Sequence, residues 1–308
     1  MAQTLLFAAS RLISTLFAVC AKSCATKWSS ALPPGRFSTV HQICSHPEPF
    51  LDPLLSFSLM NPAEFANISS VERDFWWYRG MRTILFRLLD PYLSGRKISR
   101  ALDAGCGTGY FCHLLQTKRQ WPVVPLDISW TGLRHARNLG VALPVQGDIA
   151  QLPFADRAFD LVISQDVLSH LQPGDEQLAL REFARVLAPG GLAFVRTPAL
   201  NLLRSRHSEF IHERQRFTRR RLLQLTAEAG LRPLRCSYAN SLLLPVTFAK
   251  FRLWEPLLRR PAASGVEPLA PWLDHLLYQP LAIEAAWLAA GHNFPAGQSL
   301  IFIGEKIM

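Results

Sequence analysis

Three histidines could serve as proton acceptors: His170 in "SQDVLSHL", and His207 and His212 in "RSRHSEFIHERQRF". An imidazole changes charge near neutral pH, so it can take a proton from an oxygen or nitrogen nucleophile. His170 can equally orient a loop or the adjacent helix. His207 and His212 are five positions apart and do not share one helix face, so no helical metal pair is expected. Seven arginines crowd the same stretch: Arg204, Arg206, Arg214, Arg216, Arg219, Arg220 and Arg221. They form either a solvated helix start or a grip on an anionic acceptor, since the planar guanidinium fork suits phosphate.

A second constellation lies upstream. "ALDAGCGTGY", residues 101 to 110, is an apolar run that ends in a glycine-rich turn. Gly105, Gly107 and Gly109 let the backbone approach a ligand, and a following helix would point its N-terminus at a carboxylate or phosphate. The spacing is GxGxG, and Tyr110 occupies the third glycine position of a dinucleotide fingerprint. No Gly-Lys-Ser/Thr follows, so a phosphate-binding P-loop is excluded as well. Asp127 closes "VVPLDIS", where a carboxylate can accept both ribose hydroxyls of an adenosine. A helix N-cap is its other possible task, though Ser129 could supply that instead. Asp148, in "VQGDIAQLPF", can accept a hydrogen bond from an adenine amino group, and Ile149 can pack on the ring. Asp103 is expected to hold the turn by accepting backbone N–H bonds.

These positions require a scaffold, and the chain supplies an alternation of strand and helix patterns. Strand candidates are "ISRALDAG", "WPVVPLDIS", "VALPVQGD", "FDLVIS" and "LAFVRTPA". Between them lie helical stretches, among them "TGYFCHLLQTK", "WTGLRHARNLG" and "DEQLALREFARVLAPGG", the last with a Pro-Gly-Gly stop. That order predicts an α/β, Rossmann-like, mostly parallel sheet with helices on both faces. "FTRRRLLQLTAEAGL" predicts a helix with Thr218 as N-cap and Gly230 as stop, followed by a sixth strand in "LRPLRCSYAN". The last strand, "QSLIFIGEK", comes only after residues 241–297, a helical insert rich in Leu, Trp and Pro. In an open parallel sheet, ligands sit at the carboxyl ends of the strands, which is where the glycine turn falls.

At this point the chain resembles a known family. "ALDAGCGTGYF", "VVPLDIS", "VQGDIAQLPFADRAFDLVISQDVLSHL" and "EFARVLAPGGLAFVRTPA" are similar to successive motifs of the class I S-adenosylmethionine-dependent methyltransferases, type 11 branch. The resemblance covers about residues 98 to 240. It implies a seven-stranded sheet whose final strand is antiparallel to the rest, and S-adenosyl-L-methionine as cofactor. It implies that Asp103, Gly105, Cys106 and Gly107 face the methionine part, with Gln165 near it. Asp127 and Ile128 would hold ribose and adenine, and Asp148 and Ile149 the adenine. "FWWYRGMRTILFRLL" is similar to a first helix that closes over the cofactor in many such enzymes, which makes Tyr78, Arg79 and Arg82 candidates. An aromatic helix packing on the sheet is the alternative. The resemblance also places His170, His207 and His212 near the acceptor, as candidate catalytic groups. The segment around His207 is similar to a Trp-Ser-x-His-Asp pattern, but Arg204 and Ser208 replace the Trp and the Asp.

Composition sets the remaining bounds. The 308 residues are 49% hydrophobic and carry a formal net charge of +10, enough for one large domain with additions and suggestive of anionic partners. Residues 1–47 contain no Asp or Glu and resemble a targeting peptide; alternatively, translation starts at Met60 and the upstream part is non-native or disordered. The six cysteines, Cys20, Cys24, Cys44, Cys106, Cys112 and Cys236, form no CxxC pair, so reduced thiols in a cytosolic compartment are expected.

The expected organisation is an extension over 1–59, a helical cap over 60–97, a binding core over 98–240, an acceptor lid over 241–297 and a final strand over 298–308. The expected partner is a small anionic or hydrophobic acceptor, lipid-like, quinone-like or sugar-linked, methylated on oxygen or nitrogen. The insert could instead form a dimer surface or touch a membrane. No recognition pattern with interleaved aromatics points to nucleic acid. The rival readings are a non-catalytic binding or assembly protein on the same fold, and a nicotinamide-dependent oxidoreductase, against which Tyr110 argues.

Overall fold

A computed structural model describes residues 60–258, 264–266 and 268–307. The targeting-like segment and Cys20, Cys24 and Cys44 lie outside the described residues. Two helices come first, α1 (Pro62–Val71) and α2 (Trp76–Leu93). Asn61 caps α1 by accepting from the Ala63 amide at 3.0 Å, and Pro62 sits at the first helical position, where its missing N–H is no loss.

Alternation then builds the sheet: β1 (Ala101–Ala104), α3 (Tyr110–Lys118), β2 (Val123–Asp127), α4 (Trp130–Asn138), β3 (Val145–Gln146), β4 (Phe159–Gln165), α5 (Asp175–Val186) and β5 (Leu187–Pro198). The short helix α6 (Arg206–Phe210), then α7 (Arg219–Glu228) and β6 (Leu231–Ala239) follow. The insert contributes α8 (Leu244–Ala249), a π-turn over Lys250–Trp254, α9 (Glu255–Leu258) and α10 (Pro271–Ala289). β7 (Ser299–Lys306) completes a seven-stranded sheet of order β3-β2-β1-β4-β5-β7-β6. β1 to β5 run parallel, and β7 is antiparallel to both of its neighbours, as expected. Thr218 and Ser129 act as N-caps, and Gly230 takes a φ of +84° just past α7.

Two departures are small. β3 pairs over only two residues, because Pro144 and Gly147 bracket it. Helix α5 stops at Val186, and the Pro-Gly-Gly run lies inside the irregular start of β5 rather than ending the helix.

Side chains along β4 alternate between two cores. Leu161 and Ile163 face α2, α3 and α10, whereas Val162 faces α5 and α7. The insert joins the first face because α10 packs along α2. A Cβ at Gly80 would lie 2.6 Å from the Cβ of Leu281, so the two helices meet at a glycine contact. Asp274 accepts from the Trp76 amide at 2.7 Å and pairs with Arg79 at 3.3 Å. Glu284, fully buried, accepts from the Ser241 and Leu242 amides at 2.7 Å each and fixes the turn after β6.

Gly80→Ala is therefore expected to push α10 off α2 and to destabilise the fold by about 1–3 kcal/mol, the usual overpacking range. Urea denaturation checks this; an unchanged midpoint would show that the contact yields without strain.

Candidate functional site

The strand order reverses between β1 and β4, and the turn after β1 opens at that point. The Gly105 and Cys106 amides both donate to the Leu126 carbonyl, at 2.7 and 2.9 Å, which draws the turn onto β2. Gly105, Gly107 and Gly109 all have positive φ, at +89°, +55° and +79°. A Cβ at Gly109 would lie 2.8 Å from the Ala136 Cα, so this glycine lets α3 and α4 approach. A Cβ at Gly107 would meet nothing within 4 Å. The backbone there faces open space that a ligand can fill.

Asp127 secures the turn. Its carboxylate accepts from the Gly107 amide and the Ser129 amide, each at 2.8 Å. Burial raises its pKa, and the backbone donors oppose the rise. Asp103 behaves differently from expectation. It accepts from the Cys112 thiol at 3.1 Å and not from the loop amides, and burial pushes its carboxyl up to about 7. Asp148 accepts from the Ala150 amide at 2.8 Å.

A cavity of about 970 Å³ covers the turn. Asp103, Gly105, Cys106, Gly107, Asp127 and Ile128 line it, as do Asp148, Ile149 and Gln165. Tyr78 and Arg82 of α2 reach the same space. Arg82 is held by the Glu72 and Arg73 carbonyls at 2.6 and 2.7 Å. Arg79 does not line this cavity: it turns to α10, pairing with Asp274 and lying over the Tyr278 ring. Three residues on from Arg79 along the helix, Arg82 faces the site instead.

The histidines separate. His170 lines the cavity; burial lowers its pKa and favours the neutral ring, and its Nδ1 is buried with no hydrogen-bond partner. His207 also lines the cavity, and its Nδ1 accepts from the Gly265 amide at 2.9 Å. Burial lowers its pKa too. His212 lies in an exposed turn after α6 with φ of +56°, outside the cavity lining, so the site brings together two of the three histidines. No group of three or more His, Cys, Asp or Glu able to hold a metal ion occurs among the described residues.

Most of the arginine cluster is paired. Arg216 binds Glu213 at 2.6 Å and the Ser208 hydroxyl at 3.0 Å; Arg221 binds Glu176 and Gln215; Arg206 binds Glu255. Arg196 pairs with Asp166 at 2.5 Å over the Trp77 ring. Sequence reasoning missed Glu64 and Glu72 on and beside α1, both lining the cavity. Glu72 receives the Thr108 hydroxyl at 2.6 and 2.7 Å, and burial pushes it up to about 7.

The folded chain therefore retains a proton on Glu72 that the unfolded chain releases near 4.5. Stability from this group is present below about 4.5 and lost as pH rises to about 7. Between pH of about 5 and about 7.5, the Tm of the unaltered protein should fall more than that of Glu72→Gln. Equal slopes in thermal melts would assign the burial penalty elsewhere.

Residues 102–195 match the family model described as a methyltransferase domain. A malonyl-[acyl-carrier protein] O-methyltransferase of Erwinia pyrifoliae is 43% identical over 106 residues, 34% of this chain and 39% of the relative. A "Probable S-adenosylmethionine-dependent methyltransferase" of Mycobacterium tuberculosis is 33% identical over 133 residues, 42% of this chain and 46% of the relative. The chain thus spans less than half the length of these curated relatives. Among solved structures, a phosphoethanolamine N-methyltransferase of Haemonchus contortus in complex with S-adenosyl-L-methionine superposes with a TM-score of 0.52 at 17% identity, over 84% of this chain and 59% of that one, a likeness of fold alone. With the matched segment spanning β1 to β5 and the sheet order now in place, residues 102–195 form a methyltransferase domain similar to those of the S-adenosylmethionine-dependent methyltransferases.

Proposed function

We propose that this protein transfers a methyl group from S-adenosylmethionine to an oxygen or nitrogen of a small, largely apolar acceptor. The observation that supports this most is the shared cavity. One end is the glycine turn with Asp127 and Asp148; the rest is walled by Trp76 and Trp77 of α2 and by Phe251 and Trp254 of the insert. Its volume of about 970 Å³ is at the upper end for a small-molecule site, enough for two reactants side by side.

The residues present suit an adenosine. Each Asp127 oxygen accepts one backbone amide, which leaves a lone pair on each for a ribose hydroxyl. Ile149 is buried beside Asp148 and offers an apolar face. S-adenosylmethionine, when bound, supplies a sulfonium methyl already activated for in-line displacement. The chain's own work is then to align the acceptor and exclude water. The aromatic wall and the insert do both.

Proton removal is constrained by the histidine geometry. With Nδ1 of His207 accepting from Gly265, the neutral ring carries its proton on Nε2. His207 can then take a second proton only by releasing Gly265. His170 is under no such constraint, because its Nδ1 is unpartnered. His170 is thus the better-placed base for acceptors that need one.

Calorimetric titration of the full chain with S-adenosylhomocysteine tests the reading, with NAD as control. Micromolar-range binding of the first alone is expected, and Asp127→Ala should weaken it by about 1–3 kcal/mol. Failure of the folded protein to bind would sink the proposal. In a screen that follows a labelled methyl group into small acceptors, His170→Ala should slow transfer to alcohols more than His207→Ala does. The reverse order would make His207 the base.

A further inference from the structure

The cavity contains a carboxylate with one oxygen that no donor among the described residues satisfies. Glu64 is 1% exposed, yet its Oε1 has no hydrogen-bond partner. Its other oxygen accepts from the Asn67 side chain at 2.9 Å. Nδ1 of His207 lies 3.9 Å from that Oε1. That nitrogen already accepts from Gly265, so it presents a lone pair and not a proton. The cavity arginines are engaged elsewhere: Arg82 by the Glu72 and Arg73 carbonyls, Arg196 by Asp166, Arg206 by Glu255 and Arg216 by Glu213. Lys250 also lines the cavity, with its ammonium over the Phe251 ring at 5.7 Å. A buried carboxyl oxygen with no donor bears its full desolvation penalty. A ligand carrying an N–H or O–H at this point would remove it.

The surroundings of Oε1 argue for the acceptor and not the adenosine, although α1 itself also adjoins the glycine turn: a Cβ at Gly132 would lie 2.8 Å from the Phe65 ring, and Glu72 just past α1 accepts from Thr108. Asp127 ends β2 and Asp148 lies just past β3, at one side of the sheet. His207, beside Glu64, follows β5, with β1 and β4 in between. The aromatic walls of α2 and the insert adjoin the same space.

Building on the proposed methyl transfer, we infer that Glu64 Oε1 receives the head group of the acceptor, which is therefore a hydroxyl or an amine on an apolar body and not a carboxylate. A donor head group satisfies the orphaned oxygen. A carboxylate head would bring a second acceptor-only, negatively charged group against it. Glu64 is then a residue that sets head-group specificity.

Three probes of one shape separate these heads: naphthylmethylamine, naphthylmethanol and naphthoate. Each is titrated into the full chain, with and without S-adenosylhomocysteine, and into Glu64→Gln and Glu64→Met. The amine or the alcohol should bind at least about tenfold more tightly than naphthoate, a ratio typical of one hydrogen bond to a charged group. Both variants should bring that preference to within about twofold, while affinity for S-adenosylhomocysteine stays unchanged. Naphthoate binding as tightly as the others, or no binding by any probe, overturns the inference. So does a preference that survives both variants. A loss of S-adenosylhomocysteine affinity in Glu64→Gln would show that the donor is the cofactor's own amine, and overturns it too. If neither variant folds, the preference of the unaltered protein decides alone. Failure of S-adenosylhomocysteine to bind the unaltered protein would instead count against the methyl-transfer reading and leave the head-group preference standing.

Discussion

The carboxylate of Asp127 grips the Gly107 amide with one oxygen and the Ser129 amide with the other. One amide belongs to the turn after β1 and the other to the start of α4, so a single side chain locks the loops of adjacent strands in register. Three glycines with positive φ would otherwise leave the turn free to sample many shapes. The lock sets the turn before any ligand arrives, which lowers the ordering penalty of binding. It also explains why a buried carboxylate is tolerated. The amides stabilise the charge that burial disfavours.

The rest of the cavity follows the same principle with a different outcome at each charge. Arg196 is neutralised by Asp166, Arg216 by Glu213, and Glu72 by a hydroxyl and a raised pKa. The walls are contributed by segments far apart in sequence, α2 and the insert, which meet at Gly80 and Leu281. The pocket is therefore walled largely by apolar and aromatic side chains, with its arginines Arg196 and Arg216 already paired, a suitable lining for an apolar guest with one polar head.

The sheet was legible because its signals are local. Apolar runs ending in Asp or Gly gave the strands, and Thr218 and Ser129 announced helix starts by residue type alone. That Asp127 and Asp148 line the cavity was legible because one ends β2 and the other lies just past β3, at the carboxyl edge of the sheet. Glu64 and Glu72 were not, since a carboxylate on or beside a short polar helix looks like a solvated face until the fold buries it. The partners of the arginine cluster were not legible for the matching reason. The partner of Arg221 is Glu176, 45 positions away, and that of Arg206 is Glu255, 49 positions away. Arg79 and Arg82 share a helix, and only the arrival of α10 decides which one faces the site.

The place of β7 has a bearing on how the molecule forms. It lies between β5 and β6 and pairs with both over seven and eight registered positions, yet it is the most distant of the three in sequence. Until it docks, β5 and β6 each present a row of unmatched amides and carbonyls, and apolar residues such as Phe194 and Val195 have no neighbour on that side. Such edges recruit strands from other molecules. Closing the sheet also requires the long excursion through the insert to be bridged, a step governed by chain entropy rather than by local propensity. The segment between β6 and β7 thus also sets the loop-closure cost of completing the sheet, and doubling its length would add about 0.6 kcal/mol to that cost.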